Sequence, residues 1–329
     1  MRPFHLRPRT ALLLLLLVWL AALVGAPLIG SQSISLRAVL HGDPTAAQIF
    51  WQLRLPRVLL ALLAGGGLAV SGLAFQTLFR NELAEPYTLG IASGAALGAV
   101  LALRLEEAGF LLGLPLVALA SFAGAIAATA LVVGLGLRRR GATATLLLSG
   151  IAVSLSCSAL ILFLQYLSDS TQTFRMVRWM MGGLSVVGYR EVLWLLPWVI
   201  GGSVVLFAMR WDLNLLLTGE ELAASRGVDL MRLRLTILLV TSLMIGALVA
   251  VVGPIGFVGL MVPHMLRRGV GHDHLLLAPA CLLGGGAFLT LCDLGARTLM
   301  APAELPVGVI TALLGGPFFL WLLVLGRRD

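Results

Sequence analysis

The chain runs to 329 residues, 59% of them apolar, with only 12% charged and a mean hydropathy of +1.01. Soluble domains carry about 25% charged residues, so this composition excludes a mostly water-facing surface and names lipid as the main solvent. The net charge of +8 comes from 23 basic and 15 acidic residues, and every basic one is arginine, which excludes a P-loop and Schiff-base chemistry, both of which need a lysine amine.

Residues 11–30 carry no charge, and twenty residues at about 1.5 Å rise cover the roughly 30 Å of a hydrocarbon core. Arg2, Arg7 and Arg9 precede them as the n-region of a signal peptide would, but the apolar run is too long for a usual h-region and further spans follow. It reads as an uncleaved first span. Further apolar runs lie at 57–79, 88–105, 111–137, 143–167, 191–210, 233–252, 275–299 and 306–325. The stretch 255–268 follows Gly253 and Pro254 and is short enough to be re-entrant.

Arginine placement decides between the two readings. With ten spans and both termini cytoplasmic, fifteen arginines lie inside, among them Arg138, Arg139, Arg140, Arg327 and Arg328, and eight outside. A re-entrant 255–268 gives twelve against eleven and erases the positive-inside bias. The expected fold is therefore all-α: one polytopic domain over residues 1–329 with about ten transmembrane helices. Its basic excess belongs to cytoplasmic loops, with no nucleic-acid partner.

Gly65, Gly66, Gly67 and Gly72, the Gly90/Gly94/Gly98 series, and Gly284, Gly285 and Gly286 predict close helix packing, since lipid supplies no hydrophobic drive between helices. Cys157, Cys281 and Cys292 lie in apolar runs without metal-ligand spacing and read as buried, inert thiols. Met176, Met180 and Met181 read as gap-filling rather than as soft ligands.

Charge inside the spans is scarce. Asp293 is the only acid well within one, with Arg297 at i+4 as a local partner, so proton coupling has little to work with. His264, His272, Asp273 and His274 make too small a set for a metal site, and His272 and His274, at i, i+2 on a loop, read as solvated. On the cytoplasmic side, Thr218 and Glu221 have capping-box spacing and Gly227 supplies a stop, predicting a short helix over 218–227 that must be held by packing against something else.

Several long segments, in order, resemble the permease subunits of ATP-binding-cassette importers for iron-siderophores, haem and cobalamin. They are QLRLPRVLLALLAGGGLAVSGLAFQTLFRNELAEPYTLGIASGAALG (52–98), RWMMGGLSVVGY (178–189), LNLLLTGEELAASRGVD (213–229), VGPIGFVGLMVPHMLR (252–267) and CDLGARTLMAPAELPVGVITALLGGPFFLWLL (292–323). The resemblance implies ten spans per subunit, a two-fold homodimer, two separate cytoplasmic ATPases that bind the ATP and magnesium, and an external binding protein, all at the bacterial inner membrane. It implies a transport subunit rather than an enzyme, with no cofactor or metal of its own. The segment RWMMGGL is nearer to cobalamin permeases than to haem ones.

The resemblance also assigns residues. Thr218, Glu221, Ala223 and Gly227 fall on the ATPase-docking helix, with Leu222 in place of the pattern's first alanine. Asn81 and Leu83, with Thr143, match the loops that close the pathway at the cytoplasmic end, although Glu82 stands where the family has proline. Arg54, Arg57 and Arg297 match external arginines that meet acidic groups on the binding protein. The alternative from another class, a secondary transporter or channel that works without ATP, needs a coupling acid or a selectivity ring, and neither is evident.

Overall fold

The computed structural model describes residues 8–30, 37, 39, 43–105, 110–111, 114–138 and 143–325. Arg2, Arg7, Arg139, Arg140, Arg327 and Arg328, all counted above as inside, lie outside the described residues. The helices in chain order are α1 (Pro8–Gly25), α2 (Pro44–Gln48), α3 (Leu55–Leu78), α4 (Ile91–Arg104), α5 (Leu116–Arg138), α6 (Thr143–Tyr166) and α7 (Ser170–Met180). They continue as α8 (Arg190–Ala208), α9 (Arg210–Leu217), α10 (Glu220–Ser225), α11 (Leu230–Val252), α12 (Val258–Val270), α13 (His274–Thr298) and α14 (Val307–Leu325). A two-residue hairpin, β1 (Phe110–Leu111) against β2 (Leu114–Pro115), closes the turn between α4 and α5.

Among the described residues, seven helices are long and apolar enough to cross a membrane, and α4 and α14 are shorter apolar helices beside them. Leucines and aromatics such as Leu17, Leu155, Leu162, Leu193 and Trp321 stand exposed around the bundle, as lipid-facing side chains must. Four elements were not anticipated: α2 with the π-helical turn Ile49–Arg54 that carries it into α3, the hairpin, α7, and α9.

At the centre runs α3, buried on nearly every face from Val58 to Leu78. Glycine makes that position possible. A Cβ at Gly65 would collide with the Gly285 carbonyl on α13, and one at Gly72 with Gly259 on α12, so backbone lies against backbone at both crossings. Gly94 and Gly98 of α4 meet Gly124 and Ala120 of α5 in the same way. Gly90, the first of that series, does something else: at φ 80° it turns the chain into α4 in a left-handed conformation that a side chain resists.

These contacts fix the run of each helix. Leu282, Gly285 and Gly286 of α13 meet Gly66, Gly65 and Leu62 of α3 in turn, so the two are antiparallel. One end of the bundle, the Arg57 end, holds the start of α3 and the finish of α13. The other, the Thr218 end, holds Thr77 beside His274 and carries α9 and α10.

From the Thr218 end, α11 rises until Val252 accepts the Gly183 amide, after which Gly253–Phe257 leave the helix and α12 brings the chain back down. The return starts inside the bundle, where Gln76 Nε2 donates to the Gly259 carbonyl at 3.0 Å, and it ends with His264 beside Glu82. Ala11 packs near Val270 and Ala280, and Phe318 meets His264, so both ends of the described chain also finish at the Thr218 end. Cys157, Cys281 and Cys292 are buried, unbonded thiols, as read from sequence.

Candidate functional site

Three places among the described residues bring charged side chains together at the ends of the apolar bundle. At the Arg57 end, the Asp293 carboxylate is fully buried and holds two guanidinium groups. Arg57 reaches it across from α3, with Nε at 3.0 Å and Nη2 at 2.9 Å from Oδ1, and Arg297 from its own helix, with Nε 3.1 Å from Oδ2. The i,i+4 pair read from sequence is therefore present, but it is half of the arrangement. The Arg57 partner, 236 residues away along the chain, left no local signal.

Arg297 and Arg54 also donate to the turn that follows α1. Arg297 reaches the Ala26 and Ile29 carbonyls, each at 3.4 Å, and Arg54 Nη1 reaches those of Pro27 and Leu28, each at 3.3 Å. Arg54, Arg57 and Arg297 thus form one cluster. Arg54 and Arg297 are buried at 8% and 4% exposure, while Arg57 keeps 13% of its side chain open and passes Nη1 to Glu304 Oε2 at 2.7 Å. Arg175, Arg178 and Arg190 are exposed on α7 and at the start of α8, and the Gly188 amide donates to the Gln52 carbonyl beside the cluster.

At the Thr218 end, the short helix is smaller than expected and capped differently. The proposed capping box does not form: the Thr218 hydroxyl donates back to the Leu215 carbonyl, Thr218 closes α9, and Gly219 at φ 125° is the N-cap of α10. The hydroxyl found an acceptor within its own helix before the chain turned. The stop is as predicted. Gly227 sits at φ 89°, with its amide on the Ala224 carbonyl and the Val228 amide on that of Ala223, both bonds of a Schellman motif. Ala223 is buried, whereas Glu221 and Leu222 face out.

Glu220 ties α10 to α11 through Arg234, and a polar cleft of about 710 Å³ opens between Arg80 and residues 218–222. Beneath it, Asn214 joins α9 to the bundle. Its Oδ1 meets the His274 backbone amide and ring Nδ1 at 3.0 and 2.7 Å, its Nδ2 donates to Asp273 at 2.8 Å, and His274 Nε2 lies 2.9 Å from the Thr77 hydroxyl. His274 is thus buried, not a solvated loop residue as the sequence suggested. Asp273 beside it caps α13, and the Leu275 amide and then Asn214 hold its carboxyl below the usual carboxylate range.

The third place is the loop after α3. Arg80 takes φ 48°, and its amide and that of Asn81 return to the Thr77 and Gln76 carbonyls, a Schellman stop built without glycine. Asn81 Oδ1 accepts the Leu83 amide at 2.9 Å, and Leu83 is exposed. Glu82 reaches His264 Nδ1 at 3.0 Å and approaches Arg267 at 3.7 Å. Beyond it the chain turns into the bundle, where Glu85 accepts the Phe257 amide and the Tyr87 hydroxyl accepts that of Ile255. Those two were missed, because only the fold shows that 253–257 carries amides with no helical partner. Thr143 begins α6.

Residues 13–325 match the FecCD transport family. The hemin transport system permease protein of Yersinia pestis is 40% identical over 334 aligned positions, covering 99% of this chain and 98% of that protein. The vitamin B12 import system permease protein of Escherichia coli O9:H4 (strain HS) is 40% identical over 323 positions, covering 96% and 95%. Among solved structures, one described as an inward-facing conformation of a metal-chelate type ABC transporter aligns with a TM-score of 0.87 at 34% identity, covering 96% of this chain and 99% of that one.

Proposed function

Because this chain belongs to the FecCD transport family, we propose that it is the membrane-spanning permease subunit of an ATP-driven importer that takes a metal chelate from an external binding protein into the cytoplasm. The working unit is two copies of the chain with ten spans each, joined at the Thr218 end by two cytoplasmic ATPases that bind the ATP and magnesium. The membrane is the bacterial inner membrane, with both termini inside. Haem and cobalamin carriers are equally similar in identity, so the cargo class is an iron or cobalt chelate of that size.

One observation carries this reading. A six-residue helix, too short to be stable alone, stands at the end of a lipid-facing bundle with Glu221 and Leu222 facing out beside an open polar cleft. Such a helix is useful as a knob for a partner, and Ala223 and Gly227 give it a buried foot and a sharp stop. Asn81 and Leu83, with Thr143 of each copy, form the cytoplasmic gate in this reading, and Arg57 with Arg54 and Arg297 behind it forms the external docking point. The secondary-transporter alternative loses its one candidate acid, because Asp293 is committed to two arginines.

Reconstitution in proteoliposomes with the ATPase and the binding protein tests the proposal. Uptake of haem, cobalamin or a ferric siderophore that requires both partners and ATP is the expected result. Uptake by the chain alone, driven by an ion gradient, would overturn it.

A further inference from the structure

The docking point already contains an acid. Of the three arginines at the Arg57 end, Arg54 and Arg297 are buried against the carbonyls of residues 26–29, so Arg57 is the one a macromolecule can reach. Its inward edge, Nε and Nη2, is held by Asp293, and its outward nitrogen, Nη1, is taken by Glu304 at 2.7 Å. Glu304 is 45% exposed and lies in the loop between α13 and α14. From this geometry we infer that Glu304 is an internal competitor for the docking site: it occupies the guanidinium edge that a carboxylate of the binding protein must use, and docking displaces it. This inference rests on the docking role proposed for Arg57.

The surroundings suit a side chain that swings away while its backbone stays. The Leu305 amide donates to the Ala296 carbonyl at 3.0 Å and that of Ala303 to Met300 at 3.0 Å, so the loop is anchored on both sides of residue 304. Displacement then needs a rotamer change and no loop remodelling. Asp293 cannot be displaced in the same way, because it is fully buried and also holds Arg297. The two acids therefore divide the work: Asp293 orients Arg57, and Glu304 sets how readily an outside carboxylate takes hold.

Charge gives the same direction. Three arginines against Asp293 and Glu304 leave the cluster at a formal +1, and without Glu304 it rises to +2. An acidic partner is drawn more strongly to the second state, mainly through its encounter rate and most at low ionic strength. Docking at +1 keeps association weak enough for the binding protein to leave after delivery.

The test uses the permease in nanodiscs, assembled with its ATPase, and the purified binding protein as probe. Glu304→Gln should tighten association about two- to five-fold at low salt, the range of an exposed ion pair, with the gain shrinking as salt rises. The gain should vanish in the Glu304→Gln/Arg57→Ala double variant. Independently of any partner, Glu304→Gln should speed modification of Arg57 by phenylglyoxal, read by peptide mass spectrometry. If Arg57→Glu weakens association but Glu304→Gln leaves it equal or weaker, the competitor role is wrong while docking at Arg57 stands. If Arg57→Glu has no effect on association, the docking reading itself fails and the inference falls with it. Unchanged phenylglyoxal reactivity in Glu304→Gln would likewise overturn the shielding of Arg57.

Discussion

Replacing Gly227 isolates backbone conformation from packing, because a Cβ built there meets no heavy atom within 4 Å while φ is 89°. Crowding of a Cβ within this chain therefore contributes nothing, and the step from glycine to alanine reports the cost of the left-handed region. For an L-residue that cost is about 1–2 kcal/mol, lower for asparagine and higher for a β-branched side chain. Against it stand the two Schellman bonds, Gly227 to Ala224 at 3.0 Å and Val228 to Ala223 at 3.1 Å, each worth about 0.5–1.5 kcal/mol net.

The two quantities are comparable, and α10 has only six residues to resist with. Valine should therefore open the stop rather than bear the strain, alanine should sit between, and asparagine should stay close to wild type. The assays are hydrogen exchange over residues 219–228 and the ratio of chelate transported to ATP hydrolysed in proteoliposomes. Exchange protection and coupling should both fall in the order Gly, Asn, Ala, Val, with membrane insertion unchanged. Equal coupling in the alanine and valine variants, or lost coupling with full protection, would refute the reasoning.

Asp293→Asn leaves the buried Arg297 and the part-buried Arg57 sharing an uncharged amide, and breaking a buried ion pair from one side costs about 3–5 kcal/mol, so the detergent-solubilised protein should unfold at a clearly lower temperature. The triple change Asp293→Leu/Arg57→Met/Arg297→Met should recover much of that loss, and no recovery would argue against charge as the cause. In a chain with its three buried cysteines changed to alanine, His272→Cys should react with a membrane-impermeant maleimide only from the cytoplasm and Ala303→Cys only from outside; the reverse pattern would sink the ten-span arrangement. The Asp273 cap, with its carboxyl held below the usual range, contributes stability that is present above the unfolded pKa of about 3.9 and lost only as pH falls through the lower folded value. Protection at the start of α13, with the intrinsic exchange rate divided out at each pH, should lose this cap's contribution only below about pH 4, and Asp273→Asn should remove that loss.

The long crossings were legible because lipid imposes one simple demand, a charge-poor run of membrane length, and α3, α8, α11 and α13 begin and end within a few residues of the runs read from composition. For α12, whose 13 helical residues are too few on length alone, the sequence offered only the arginine count as an argument for a crossing. Short elements escaped. The amphipathic α7 was missed because its arginines read as loop, and α9 because it was taken as the approach to a longer coupling helix. At the Arg57 end, Arg54, Arg57 and Arg297 were singled out through the resemblance, while the contacts that gather them were not readable. Asp293 was correctly paired with Arg297 at i+4, while its bond to Arg57 depends on α3 lying antiparallel to α13, which no local pattern encodes. The solvated reading of His274 failed for the same reason: Asn214, its partner, is brought to it by tertiary packing.

The stretch Gly253–Phe257 limits how the loop after α3 can move. Its amides at Ile255 and Phe257 have no carbonyl a turn away and are satisfied instead by Tyr87 and Glu85, while Glu82 reaches further down to His264. Pulling residues 82–87 away alone would strand two peptide donors inside the bundle, at about 1–3 kcal/mol each. It is cheaper for the loop, the non-helical stretch and α12 to travel as one slab, hinged where Arg80 and Gly271 hold positive φ angles. Any displacement of that slab past α3 would also have to break the buried bond from Gln76 to the Gly259 carbonyl.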